Sequence, residues 1–156
     1  MFWADVGRTG PWGIPGDLKA KSKWPFYAIG ALASEPAFDF YMVDGRFQVA
    51  CACAEFLHAS SHKRDPHTFL MAMHDFSKRW KPRYSTLING TYSYGDILTV
   101  ADRVRGFDPT QPVKGHGTSG AQIVVLRRKQ GVSDAEIVDI YTRHKEVVMR
   151  RARRRR

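Results

Sequence analysis

Two short apolar runs, separated by an alanine-rich segment without helix breakers, limit most strongly how this chain can fold. The first run, FDFYMV at 38–43, ends at once in DGR, as a buried strand followed by a tight turn does. Residues 47–59 predict a helix packed on a sheet, and residues 68–73 predict a second buried strand. Strand, helix and strand in this order form a βαβ unit, which predicts an α/β fold with parallel strands.

The remaining elements follow this unit along the chain. Residues 97–101 and 121–126 predict two further strands, which we expect to pair antiparallel because no helix lies between them. The glycine-rich stretch 106–120 predicts a loop, and a short helix is expected after Pro82 through Leu87. A capping box at 133–136 predicts a C-terminal helix over about 134–150.

The first 37 residues are rich in glycine, proline and tryptophan, which predicts an irregular segment with many turns. Within it we expect a short strand at Phe2–Val6 and a short helix at Trp24–Leu32. The glycines between Gly7 and Gly13 suggest either a phosphate-binding loop or a surface loop. We favour the surface loop, because the residues after Gly10 do not begin a convincing helix.

The charge of the chain is concentrated at its end. The formal net charge is +10, but six arginines lie within residues 150–156, and without them about +4 remains. We therefore expect one folded domain at 1–149 and a disordered arginine-rich tail at 150–156. No apolar run is long enough to span a membrane and no signal peptide is visible, which favours a cytoplasmic location.

Two cysteines, Cys51 and Cys53, lie two residues apart on the predicted helix, where they point in different directions and cannot easily form a disulfide. We interpret both as buried free thiols. No pair of cysteine and histidine residues has zinc spacing, and we predict no metal site.

The best functional signal is the set of polar residues that follow the two predicted parallel strands. Asp44 and Arg46 follow the first strand; His74 and Asp75 follow the second, with Arg79 one turn later. Ligands bind beyond the carboxyl ends of such strands, so we expect these side chains to converge on one edge of the sheet.

Each of these residues has a functional and a structural interpretation. His74 suits a general base, with Asp75 to orient it and Asp44 as a further catalytic carboxylate, but all three also suit caps and core hydrogen bonds. Arg46 and Arg79 suit the binding of an anionic substrate group, or ion pairs within the fold.

Residues 38–51, with VDGRFQVAC at their end, and the later HDF segment at 74–76 with Arg79 resemble the family of Rossmann-like, S-adenosylmethionine-dependent methyltransferase-like proteins. Members carry a VDGRFRVAC-type segment and an HDFxxR segment. Gln48 replaces the second arginine here, which leaves Arg46 as the arginine that matches.

The resemblance implies a seven-stranded sheet in which the four strands predicted here are strands four to seven. It also implies an upstream glycine-rich loop for S-adenosylmethionine, for which the 37 residues before strand four leave no room. We therefore expect only the carboxyl-side part of the domain, with a cofactor site that this chain alone does not complete.

Three functions remain open at this point. The chain is a methyltransferase-like protein acting on a small molecule, with the residues above at its site. Alternatively, it is a basic nucleic-acid-binding protein, in which the tail Arg150–Arg156 and residues 127–129 contact polyanions without sequence preference. A third reading is a non-catalytic relic of the fold that acts through a partner, including a second copy of itself.

Overall fold

The computed structural model describes residues 4–62, 65, 67–74, 76, 94–104 and 123–146. The predicted helix after Pro82, the loop 106–120 and the tail 150–156 lie outside these residues. Within the described part of the chain, no helix combines the length and the apolar character needed to cross a membrane.

The segment before the sheet is irregular, as predicted, but its expected first strand is wrong where the structure describes it, because residues 4–6 form no strand. The carbonyl of Val6 accepts a hydrogen bond from the indole N–H of Trp24 at 3.1 Å instead of pairing with a neighbouring strand. Short 3-10 helices at Pro11–Gly13 and Leu18–Lys23 lead into helix α1, Pro25–Ile29, which is shorter than predicted.

The predicted βαβ unit is present and consists of strand β1, Phe40–Val43, helix α2, Gln48–Ser61, and strand β2, Leu70–Met73. The two strands pair in parallel, with Val43 opposite Met73. Strand β2 begins two residues later than predicted, because the backbone N–H and hydroxyl of Thr68 both donate to the carbonyl of Asp65 in a turn.

Two further strands, β3 at Ala101–Arg103 and β4 at Val124–Arg128, complete a four-stranded mixed sheet in the order β1-β2-β4-β3. Strand β4 pairs antiparallel with β3, as expected, and also antiparallel with β2. The predicted fold class is confirmed: an α/β fold with a parallel pair, an antiparallel pair and a C-terminal helix.

The strand predicted at 97–101 is wrong, because Tyr94–Thr99 forms a 3-10 helix and only Ala101 belongs to the strand that follows. Two hydrogen bonds hold this helix: the hydroxyl of Thr99 donates to the carbonyl of Asp96 at 2.8 Å, and the carboxylate of Asp96 lies 2.7 Å from Nε2 of His144. Local side-chain bonding to the backbone thus competes with the strand that the apolar pattern favours.

Helix α3, Asp134–His144, begins with the predicted capping box, in which Ser133 and Glu136 bond reciprocally. Its buried residues, Ile137, Ile140 and His144, recur at helical spacing and form one face. Lys145 caps the helix at its C-terminal end, earlier than the predicted limit near 150.

The main core lies between the sheet and helices α2 and α3, and includes Phe56, Met71, Leu126 and Ile137, all fully buried. Among the described strands, β1 lies at the edge of the sheet, and only its alternate residues face this core. Its other face leaves Phe40 and Met42 more than half exposed. Self-association through this exposed edge stays a prediction.

Candidate functional site

The carboxyl ends of β1 and β2 lie side by side, so the residues that follow them are neighbours. The backbone N–H of His74 donates to the carbonyl of Val43 at 3.0 Å, which extends the parallel pairing by one residue. Nδ1 of His74 and Oδ1 of Asp44 are 3.3 Å apart. The expected convergence is observed for these two residues, and their roles stay predictions.

Asp75 and Arg79, the other two residues predicted for this edge from the second strand, lie outside the described residues. Arg46 is described, is half-buried and lies in the turn after β1.

The turn at 44–47 is shaped by its contact with helix α1. Gly45 has φ 141°, and a Cβ at this position would lie 2.6 Å from the hydroxyl of Tyr27. Only glycine therefore fits here, for both conformational and steric reasons. Phe47 adopts the left-handed conformation with φ 54° and packs against the rings of Trp24 and Tyr27. The aromatic contacts hold the Asp-Gly-Arg turn in one place, which suits a binding role.

A cavity of about 670 Å³ opens beside this turn, within the usual size range of small-molecule sites. It lies between the N-terminal segment, helix α1, the turn after β1 and helix α2. Its polar and glycine lining residues are the following: Asp5, Gly7, Thr9, Gly13, Tyr27, Asp44, Gly45, Arg46, Cys51 and Glu55.

The glycine-rich segment at 7–13 is a surface loop, as predicted, since Arg8–Pro11 and Gly13 are exposed, and it also borders the cavity. Gly7 has φ 75°, and a Cβ there would lie 2.6 Å from that of Ala20, so the chain packs closely at this point. Gly7, Thr9 and Gly13 all line the cavity, facing the same space as the turn after β1. The segment is part of a candidate binding site, although no strand precedes it and no long helix follows it.

Glu55 is the residue of this site that the sequence analysis missed. Its side chain lines the cavity from α2 and is only 9% exposed. Within the part of the chain that the structure describes, its Oε2 atom is buried and has no hydrogen-bond partner. Burial raises the pKa of Glu55 to about 8. A glutamate in an alanine-rich, otherwise apolar helix was the sequence signal that could have identified it.

The two cysteines are free thiols, as predicted. Cys53 is fully buried, and burial raises its pKa to about 12. Cys51 lines the cavity and is held near the carbonyl of Arg46, 3.5 Å from its Sγ, and burial strongly raises its pKa as well. Both thiols therefore stay protonated at neutral pH, which argues against a nucleophilic role.

The described residues contain no group of three or more histidine, cysteine or acidic side chains placed to hold a metal ion.

Two of the three basic residues at 127–129 make contacts within the fold. Arg128 is 6% exposed and its guanidinium lies 2.6 Å from Asp134, while Lys129 donates to the carbonyl of Leu98 at 2.7 Å. Arg127 is exposed. Polyanion contact through Arg150–Arg156 stays a prediction, which deletion of residues 150–156 tests through the loss of salt-sensitive binding.

Comparison with solved structures finds a methyltransferase-like protein from Silicibacter pomeroyi DSS-3, with a TM-score of 0.49 and 18% sequence identity. The match covers 94% of this chain and 60% of that protein, so this chain spans 60% of its length. No protein-family model matches the chain. No curated protein matches it either.

Proposed function

We propose that this chain is the substrate-binding part of a methyltransferase-like protein, in which Asp44 and His74 act together as a general base toward a small-molecule substrate. The observation that carries the proposal is the 3.3 Å contact between these side chains at the carboxyl edge of two parallel strands, where such folds bind ligands. The resemblance at 38–51 and 74–79 supports the same assignment, and the cavity beside Asp44 offers room for the substrate.

The Asp44–His74 pair is suited to general base catalysis. A carboxylate beside Nδ1 favours the tautomer that carries its proton there, so that Nε2 becomes the basic nitrogen of the neutral ring. His74 would then accept a proton from a hydroxyl or amine of the substrate, and Asp44 would stabilise the resulting imidazolium. A contact of 3.3 Å before binding is compatible with this role, because such contacts often shorten when the substrate binds.

Arg46 is proposed to bind an anionic group of the substrate. It follows Gly45 in the rigid turn and lines the cavity beside Asp44. Its backbone N–H donates to the hydroxyl of Tyr27 at 3.5 Å, which ties the residue to helix α1. Asp75 and Arg79 keep the roles predicted from the sequence, as an orienting carboxylate and a second anion-binding group.

The described residues do not fit the cofactor that the resemblance implies. A site for S-adenosylmethionine would be built on a strand, a glycine-rich turn and a helix in direct succession. Residues 4–39 contain only a single bridge between Thr9 and Pro15, two 3-10 helices and the five-residue helix α1. We therefore assign no step that passes through the cofactor to these residues.

Calorimetry tests the proposal. S-adenosylmethionine is titrated into the purified chain and, beside it, into a longer form that carries upstream sequence where the genome encodes one. We expect binding by the longer form only. Binding by this chain alone would show the glycine-rich segment at 7–13 to be a cofactor loop, and an absence of binding by both would contradict the methyltransferase assignment.

The role of the pair is tested with the form that binds the cofactor, by transfer of a labelled methyl group to a small-molecule extract. We expect His74→Gln to lower the rate by about 10²–10⁴-fold, the usual contribution of a positioned general base. Asp44→Asn should lower it as well. Asp139→Asn, an exposed carboxylate on α3, is the matched control. Unchanged rates in both test variants would remove the pair from the mechanism.

A further inference from the structure

We propose that the cavity binds a cationic N–H group of the substrate, an amine or a guanidine, with the carboxylate of Glu55 as its anionic partner, while Arg46 binds the anionic group of the same molecule. This inference deepens the proposed function, on which it rests, by naming the chemical class of the substrate. It depends on a different residue from the Asp44–His74 pair and on a binding measurement that needs no cofactor.

The position of Glu55 gives the first argument. It follows Cys51 by one turn of α2, and both side chains line the cavity. The facing wall, from helix α1 onward, is apolar at Ala28, Ala31 and Leu32 and offers no hydrogen-bond donor from these side chains. The Oε2 atom of Glu55 is buried and has no partner in the described residues. Such an atom destabilises the fold unless another group donates a hydrogen bond to it. A ligand in the cavity can supply that donor.

The charge of the cavity decides between a cation and a neutral donor. Among its described lining residues, Asp5, Asp44 and Glu55 carry carboxyl groups, and Arg46 alone carries a positive charge. Asp5 is already paired with Lys23 at 2.6 Å, which leaves Glu55 as the deep acidic group. Tyr27 adds an aromatic ring to the wall, and aromatic rings attract organic cations. Among the described residues, no three histidine, cysteine or acidic side chains are placed to bind a metal ion in this cavity.

Binding of such a cation must be coupled to the ionisation of Glu55. Burial raises the pKa of this carboxyl to about 8, so at pH 7 it is mostly neutral. The titratable and charged groups that line the same cavity, from every element around it, are Asp5, Tyr27, Asp44, Arg46 and Cys51. The thiol of Cys51 stays protonated because burial raises its pKa. Cation binding should therefore release a proton from Glu55 and become tighter as the pH rises through about 8.

Two probes of the same shape separate charge from fit: benzylguanidine, which stays cationic over the whole range, and benzylurea, which is neutral. Each is titrated by calorimetry into the intact chain at pH 7 and pH 9. We expect benzylguanidine to bind about tenfold more tightly at pH 9, since Glu55 is about one-tenth ionised at pH 7 and about nine-tenths ionised at pH 9. Benzylurea should bind weakly and equally at both values.

Glu55→Gln keeps the size of the side chain and removes its charge. We expect it to weaken benzylguanidine binding at pH 9 by at least tenfold and to abolish the pH dependence. Glu35→Gln is the matched control, because Glu35 is exposed and lies outside the cavity. Near-ultraviolet circular dichroism establishes that both variants keep the native packing.

Three results would overturn the inference: no binding of benzylguanidine at millimolar concentration, equal binding of both probes, or an unchanged affinity in Glu55→Gln. None of them depends on S-adenosylmethionine. If benzylguanidine does not bind but the longer form binds S-adenosylmethionine, the proposed function stands and a cationic substrate is excluded. If benzylguanidine binds as expected but neither form binds S-adenosylmethionine, the cation site stands and the methyltransferase assignment is contradicted.

Discussion

Helices α2 and α3 pack against each other, yet only α2 carries buried side-chain oxygens that lack a partner in the described residues. The polar residues of α3 have partners: Ser133 and Glu136 cap it, Asp134 binds Ser60 and Arg128, and His144 binds Asp96. On α2, the side-chain oxygens Oε1 of Gln48 and Oε2 of Glu55 are buried without partners in the described residues.

The unpartnered oxygens distinguish α2, which borders the cavity, from α3, whose role is structural. In native proteins most buried polar atoms are hydrogen-bonded, and an exception often marks a function. For Glu55 the adjoining cavity supplies the explanation. Helix α3 thus stabilises the fold, whereas α2 combines that task with lining the cavity.

The largest expected loss of stability concerns packing on α2. Phe56 is fully buried in the main core, so Phe56→Ala should lower the free energy of unfolding by about 3–5 kcal/mol. Val138→Ala on α3 is the control, because Val138 is 45% exposed and should change stability by less than about 0.5 kcal/mol. Urea denaturation measures both. Similar losses in the two variants would contradict the picture of α2 as the more deeply buried helix.

The second expected effect is a gain of stability when the buried carboxyl group of α2 is removed. The pKa of Glu55 is raised in the folded state, from an ordinary value of 4.5 to about 8, so its ionisation opposes folding. The penalty is absent below pH 4.5, grows as the pH rises to about 8, and is constant above that. Glu55→Gln should therefore be more stable than the wild type by on the order of 5 kcal/mol at pH 9, and nearly equal to it at pH 4.

Thermal unfolding at several pH values measures this difference. A wild-type protein that loses no stability, relative to Glu55→Gln, between pH 5 and pH 9 would mean that Glu55 is solvated or paired. The Glu35→Gln variant again serves as the control for the loss of one carboxyl group.

The cap of α3 should have a moderate effect. The hydroxyl of Ser133 accepts from the backbone N–H of Glu136 at 3.3 Å, so Ser133→Ala should cost about 1 kcal/mol. Ser133→Asp, which restores a cap acceptor, should recover most of it. Chemical denaturation measures both variants, and an equal loss in the two would show that the hydrogen bond is not what stabilises the helix start.

The smallest effect is expected at the exposed ion pair of α3, where Arg143 lies 3.2 Å from Asp139. Asp139→Asn should cost about 0.3–0.5 kcal/mol at low salt, because solvent screens such pairs. The difference from the wild type should disappear in 1 M salt. A loss of more than about 1 kcal/mol would show that surface charge matters more to α3 than its apolar face does.

Part of the site could be predicted because its signal is local. The carboxyl ends of two parallel strands must meet at one edge, so the approach of Asp44 and His74 follows from recognising β1 and β2. The arrangement around the turn could not be predicted in this way. The contact of Gly45 with Tyr27 joins residues 18 positions apart and depends on where α1 packs.

Local sequence patterns account for the elements that depend on neighbouring residues: the apolar runs form β1 and β2, and the capping box and the spacing of buried residues define α3. Tertiary structure decided what depends on contacts between distant segments. The 3-10 helix Tyr94–Thr99 is tied to α3 by the contact between the Asp96 carboxylate and His144, which joins residues 48 positions apart. Glu55 is buried beside a cavity that α1 and the N-terminal segment also line, and burial by distant segments leaves no pattern in the sequence.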